Sequence, residues 1–466
     1  MPYIPKHSRL LNTRSLTTRS IPLSKKRHDV FHIIFTRRHP IWHSVVGFLK
    51  KPTYTRVMTS SQSPHLVMVT QLFYPELTST GQTMTELAEA LTRQGVTVRV
   101  ICGPPTLSDT PETPPQTLSY NGIQIHRVWG TQFPKKRFWG KLINQLSFAI
   151  GVLYYLFSHR ITTPILVNTN PPFLGWICAL YHRVSKTPFV YLVFDLYPET
   201  AVACQLLSRY NPIVPLWAFI NRWTYHQAHT IVSIGQCMTQ RLRFSVPQSC
   251  HSKLVQTHIW ADDARLSQPT TRTFRSEWGL PHEFIVLYAG NMGRFHDMQT
   301  ILDAACLCQN TPEIAFVFVG DGHQRQRCQR VCMAHKLTNC HFFPYVDRSD
   351  LPTLMASANV GIVSLNANQW GLSVPSKTMG ILAAGLPVLA VMPSRCHVAT
   401  LITQHHCGVV IDNHDHTHLA HTITHLHQTP AVLHQMGKNA KRAIQSNYTL
   451  SDSASFFKSL FNRLSQ

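Results

Sequence analysis

From residue 64 onward, short apolar runs alternate with stretches whose apolar positions recur every three or four residues. That alternation predicts parallel β-strands joined by crossover helices. The first run, His65 to Leu72, is rich in Val and Leu. After a turn, Gln82 to Gln94 sets Met84, Leu87, Ala88 and Leu91 on one helical face, with Gly95 as the stop. Val96 to Cys102 is the next strand, so residues 65–102 form one βαβ unit. Strands are further predicted at Ile123 to Val128, Ile165 to Thr169, Phe189 to Phe194, Thr230 to Ile234 and Lys253 to Thr257. A polar stretch from Asp262 to His282 then breaks the rhythm and reads as a linker. The alternation restarts at Phe284 to Tyr288, Ile314 to Val319, His341 to Phe343, Val360 to Ser364 and Val388 to Val391. The economical solution is two doubly wound, Rossmann-like α/β domains facing each other across a cleft. They span residues 64–263 and 284–449, joined by a linker at 264–283. A C-terminal helix at 450–466 is expected to pack back on the first domain.

One run does not fit a plain strand or helix face. Leu146 to Phe157 (LSFAIGVLYYLF) is a dozen mostly apolar residues, short of the ~20 that span a bilayer. Lys135, Lys136, Arg137, Lys141 and Arg160 flank it. It reads either as a buried core helix or as a helix resting on a membrane, its cations meeting lipid phosphates. Composition narrows the class: 44% apolar and 14% charged residues suit a globular chain and exclude a disordered one. The 12 cysteines fall singly, with no disulfide framework and no secretory signal ahead of them, so reduced thiols in the cytoplasm are expected. The net charge of +22 is unevenly placed. Residues 1–57 hold 12 of the 43 Lys and Arg but one of the 21 acids, so half of the excess lies there. This basic extension, 1–63, is either a transit-like or membrane-touching arm or sequence ahead of a true start at Met58. The second is preferred, because the first clear strand begins only at His65. The excess in the body points to lipid or phosphate, since no nucleic-acid module accompanies it.

The candidate chemistry lies at the strand ends. A dinucleotide-binding fold would carry G-x-G-x-x-G after its first strand. Here that loop, Phe73 to Gly81, is long and polar with one glycine, Gly81, at the mouth of a helix. The segments FYPELTSTGQTMTELAEALTRQG, VYLVFDLYPET, HIWADD, LYAGNMGRFHD, FVFVGDG and VPSKTMGILAAGLPV occur in that order between residues 65 and 460. Together they resemble the family-four retaining glycosyltransferases of GT-B fold, and within them the bacterial O-antigen and capsule-type sugar transferases. The resemblance implies a metal-independent, retaining transfer without a cofactor, from a nucleotide-sugar donor bound by the second domain.

It also implies roles for particular residues. Arg294, after Gly293, is the expected contact of the donor diphosphate; a guanidinium offers forked donors that suit phosphate, and a fixed cation there lowers the barrier to leaving-group departure. Gly322, in the turn Gly320-Asp321-Gly322, and Val346 are expected beside the nucleotide. Pro375, Ser376 and Lys377 open a helix whose N-terminus faces the donor phosphates. In the first domain Asp195, Glu199, Glu76 and Gly81 are the acceptor-side candidates, with a carboxylate orienting or deprotonating the acceptor hydroxyl. Two features depart from the family pattern. Gln299 stands where a lysine is common, and Leu372 and Gly380 stand where two glutamates are common. Two other readings therefore stay open: a nucleotide-sugar-binding partner without turnover, and a sugar-nucleotide epimerase of the same fold. The favoured acceptor is a polyprenyl-diphosphate-linked sugar, used at the inner face of the plasma membrane. Cys306, Cys308, Cys328, Cys332 and Cys340, with His323, His335 and His341, match no zinc spacing.

Overall fold

Two sheets organise the computed structural model, which describes residues 65–464 apart from 77–79, 106–114, 134–137, 269 and 282. The basic extension read over 1–63, and Lys135, Lys136 and Arg137, lie outside the described residues. The first sheet contains β1 (Leu66–Val69), β2 (Val98–Cys102), β3 (Thr117–Tyr120), β4 (Ile123–Arg127), β5 (Ile165–Asn168), β6 (Phe189–Val193), β7 (Thr230–Ser233) and β8 (Leu254–Gln256). Its order is β3-β4-β2-β1-β5-β6-β7-β8. Every neighbouring pair is parallel except β3 with β4. Strands β1, β5, β6 and β7 are buried at every residue, as expected for a sheet covered on both faces. Edge strand β3 (TLSY) is half exposed and carries no apolar run, which is why the sequence pattern misses it.

The first domain's longer helices are α1 (Thr80–Arg93), α2 (Phe138–Ser158), α3 (Leu174–Ser185), α4 (Ile213–Gln227) and α5 (Gln236–Ser245). Helix α2 resolves the apolar run into two faces. Phe148, Val152 and Leu156 are fully buried on the sheet, while Leu146, Ile150, Tyr154 and Phe157 are exposed. Neither a wholly buried helix nor a span describes it: no helix among the described residues is long and apolar enough to cross a membrane.

The second sheet contains β9 (Phe284–Ala289), β10 (Ile314–Val319), β11 (Cys340–Phe343), β12 (Val360–Ser364), β13 (Val388–Val391) and β14 (Gly408–Ile411). All are parallel, in the order β11-β10-β9-β12-β13-β14. Its helices include α6 (Met298–Leu307), α7 (Arg325–Ala334), α8 (Lys377–Ala383), α9 (His397–His405), α10 (His416–Gln428) and α11 (Pro430–Asn447). The polar stretch read as a linker is itself packed: Phe274 and Leu280 are buried, and Trp278 stacks on Phe274 and Phe343.

The last helix, α12 (Leu450–Leu464), lies against α1. Leu450, Phe457, Leu460 and Phe461 are buried there, with Trp260 edge-on to Phe457. Burying each such side chain contributes roughly 1.5–3 kcal/mol. An exposed hydrogen bond such as Gln94 Nε2 to Ser455 Oγ contributes less. Apolar packing therefore holds this helix on the first domain.

Candidate active site

The second sheet brings its loops together at the C-terminal ends of its strands, where α/β folds bind ligands. The loop after β9, Gly290 to Arg294, meets the turn after β10, Gly320 to Gly322. Met292 N donates to Asp321 O at 2.8 Å, and Gln324 Nε2 donates to Gly293 O at 2.6 Å and His296 O at 2.9 Å. Gly320 has φ +133° and Gly322 φ +145°, and a Cβ on either would run into the Gly290 or Asn291–Met292 segment. Only glycine permits this close backbone approach. Arg294 stands exposed at the rim, its carbonyl accepting from Asn366 Nδ2 at 3.0 Å.

Lys377 begins α8, but its ammonium points back beneath the first loop. Nζ donates to Tyr288 Oη and to Asn291 O, both at 2.6 Å, and sits 4.0 Å from the Tyr288 ring centroid. Burial pushes its pKa well below the usual lysine range. The same burial, with the Lys377 charge beside it, lowers His296 to about 3, so His296 is neutral and its Nδ1 donates to Ser364 O at 2.7 Å. Ser376 occupies the N-cap position without a side-chain capping bond, and Pro375 precedes it. Val346 is half-buried in the loop after β11. Gln299, in place of the common lysine, pairs with Asp303 Oδ1 at 2.8 Å and accepts from Arg327 at 3.2 Å.

Across the cleft, Asp195 ends the β6 loop and forms an isolated antiparallel bridge with Ser373 of the second domain; Leu196 N donates to Leu372 O at 2.9 Å. Beside this strap, Asn368 Nδ2 donates to Ala203 O at 2.8 Å and Gln369 Nε2 to Cys204 Sγ at 3.3 Å. Burial raises the Asp195 carboxyl to about 7. Asn366, which donates to the Arg294 carbonyl, and Asn368, which donates to Ala203 O, are two residues apart, and this segment ties the two sides of the cleft together. Glu199 faces away from it: its Oε1 accepts from Ser245 on α5 at 2.9 Å. Gly81 lies in the first turn of α1 against the backbone of Glu76, and Glu76 is buried.

The structure thus gathers Arg294, Gly293, Gly322, Lys377, Pro375, Ser376 and Asp195 around one cleft and turns Glu199 toward α5. Sequence reasoning gave no role to Tyr288, Asn291, Gln324 or Ser373, and read Leu372 only as a missing glutamate. Tyr288 and Asn291 lie within the segment LYAGNMGRFHD, which was the available signal; the strap is a tertiary contact with none. Leu372, where a glutamate is common, is buried in that strap, and Gly380 packs toward Leu266. Among the described residues no three His, Cys, Asp or Glu side chains form a group able to hold a metal ion.

Comparison with known proteins bears on the same two halves. Residues 79–249 match the glycosyl transferase 4-like domain, and residues 270–443 match the glycosyl transferases group 1. The chain pairs a glycosyl transferase 4-like domain with a group 1 glycosyltransferase domain. The transferase is 26% identical over 310 residues to the probable glycosyltransferase WbjE of Pseudomonas aeruginosa, a match covering 63% of this chain and 74% of that protein. It is 25% identical over 336 residues to the putative colanic acid biosynthesis glycosyl transferase WcaI of Escherichia coli K12, covering 67% of this chain and 79% of the relative. Among solved structures, Anabaena HepE in complex with UDP and glucose superposes with a TM-score of 0.65 at 14% identity, over 86% of this chain and all of that one. That likeness supports the two-domain fold.

Proposed function

We propose that the transferase moves a sugar, with retention and without a metal ion, from a nucleotide diphosphate donor to an acceptor hydroxyl. The acceptor is a polyprenyl-diphosphate-linked sugar in surface polysaccharide synthesis, met at an anionic membrane surface on the cytoplasmic side. One observation carries the reading. The backbone loops at Gly290–Arg294 and Gly320–Gly322, the start of α8 and Asp195 converge on a single cleft. WbjE and WcaI, named as bacterial glycosyltransferases, and HepE with its bound UDP agree with the class of donor and product.

In this scheme the bond from the anomeric carbon to the diphosphate breaks, and negative charge grows beside Arg294 and the N-terminus of α8. The acceptor oxygen bonds to the anomeric carbon on the face just vacated. Its proton passes to the departing phosphate, with Asp195 orienting the hydroxyl. Lys377 keeps the first loop in shape through the Asn291 carbonyl. A second reading, binding without turnover, is favoured by Leu372 and Gly380 standing where glutamates are common.

Purified protein with UDP-, GDP- and dTDP-sugars and membrane lipid extract separates these readings. The expected result is release of one nucleotide that depends on the extract and falls roughly 10²–10³-fold in Arg294→Ala. A donor that binds but never turns over with any acceptor moves the non-catalytic reading ahead.

A further inference from the structure

Helices α2, α3 and α4 lie side by side, α3 touching both of the others. Along α2 the exposed residues Ile143, Leu146, Ile150, Tyr154 and Phe157 recur at spacings of three and four, which draws one stripe down the outer face. Tyr154 is 61% exposed. Val184 continues the surface on α3 at 65%, and Leu216 and Phe219 extend it on α4, with Phe219 at 70%. Single exposed apolar residues need no explanation, but a patch shared by three neighbouring helices does.

The exposed charges carried by this stretch of chain have one sign. Residues 138–227 include two acids, Asp195 and Glu199. Asp195 faces the cleft bridge to Ser373, and Glu199 is bonded to Ser245. The exposed charged side chains of this stretch are Lys141, Arg160, Arg183, Lys186, Arg209 and Arg222, all cations. A second copy of the chain meeting this face would bring cations toward cations, with no exposed acid of the patch to pair them. A sheet of lipid phosphates over acyl chains matches both the apolar stripe and its cationic surround. Toward the cleft, Asn368 bonds Ala203, and the exposed Leu206, Tyr210 and Ile213 lead along the chain to the start of α4.

We propose that the outer face of α2, α3 and α4 seats in the interfacial layer of an anionic bilayer, presenting the Asp195 side of the cleft to a lipid-borne acceptor. This deepens the membrane-surface reading above and rests on it.

The test is sedimentation of the full chain with sucrose-loaded vesicles of phosphatidylcholine alone or with 30 mol% phosphatidylglycerol, roughly the composition range in which a polybasic surface discriminates. Two variants are compared, the double variant Ile150→Ser/Tyr154→Ser on α2 and Phe219→Ser on α4. The native chain is expected to partition at least about tenfold more strongly onto the anionic vesicles. Each variant should lose about tenfold of that, while binding of the sugar nucleotide in the absence of lipid is unchanged. If the native chain binds anionic vesicles and both variants bind equally well, this surface is not the docking face, although membrane contact survives. No binding by the native chain overturns both. If instead the variants convert a dimer to a monomer in sedimentation velocity and bind vesicles as the native chain does, the occupant is a second copy and the proposal fails. Loss of the transferase reading itself shows separately, as absence of nucleotide release.

Discussion

At the scale of single residues, Lys377 shows how one position can be recognised while its partners stay hidden. Sequence places it at a helix start, where its charge would face a phosphate. In the structure its ammonium is buried under Asn291 O and Tyr288 Oη, and burial pushes its pKa well below the usual range. Burial of this lysine favours loss of its proton, whereas an arriving diphosphate favours keeping it. Donor binding should therefore take up a proton, and affinity should fall as pH rises. Calorimetric titration of the cognate nucleotide in two buffers of different ionisation enthalpy checks this. Equal apparent enthalpies in both buffers would mean that no proton moves. Lys377→Met should weaken binding and abolish the buffer dependence together.

At the scale of elements, the donor side depends on turns that touch backbone to backbone. Gly320 leaves β10 at φ +133° and its Cα hydrogen faces the Gly290 carbonyl segment. Gly320→Ala has to strain that backbone and move the neighbouring loop, at a cost of about 1–3 kcal/mol. The expected outcome is a lower denaturant midpoint together with weaker nucleotide binding. A variant that loses stability but keeps native nucleotide affinity would show that the Gly290–Arg294 loop does not shape the donor site. Much of this level was legible. β10, β12 and β13 coincide with their apolar runs because central parallel strands are buried on both faces. Strand β3 (TLSY) was not, since it carries no apolar run; β14 (GVVI) is apolar but only four residues long and mostly half-buried. The start of α2 was also hidden: the apolar run marks its second half, while residues 138–145 (FWGKLINQ) mix polar and apolar positions.

At the scale of the whole molecule, one guanidinium spans the two domains. Arg348, in the loop after β11, reaches Glu86 at 3.3 Å, Glu89 at 3.7 Å and Asp262 at 3.4 Å, with all four side chains largely buried. Burial nevertheless dominates at Glu86. Its carboxyl rises from 4.5 to about 7 despite the hydrogen bond from Gln82 and the Arg348 charge. The folded protein holds this proton more tightly than the unfolded chain. Stability from this group is therefore greatest in acid and is lost as pH rises from about 4.5 to about 7. Glu86→Gln removes that loss, so the variant's melting temperature relative to native should be higher at pH 8 than at pH 5. A difference that does not change with pH would show that Arg348 already offsets the buried charge.

Residue pattern alone determined the doubly wound class, the alternation that yields both sheets, and the glycine and helix-start positions at the ends of β9, β10 and β12. These follow from local physics: period-two and period-3.6 burial, turn conformations that need glycine, and strand ends that open onto a cleft. Tertiary structure decided what each charged side chain does there. Glu199 turns to Ser245, Lys377 bends under its own loop, Leu372 enters a cross-domain bridge, and Arg348 gathers three carboxylates that are far apart in the chain. Partner choice for a long polar side chain depends on elements that meet only after folding, and no spacing along the chain encodes that meeting.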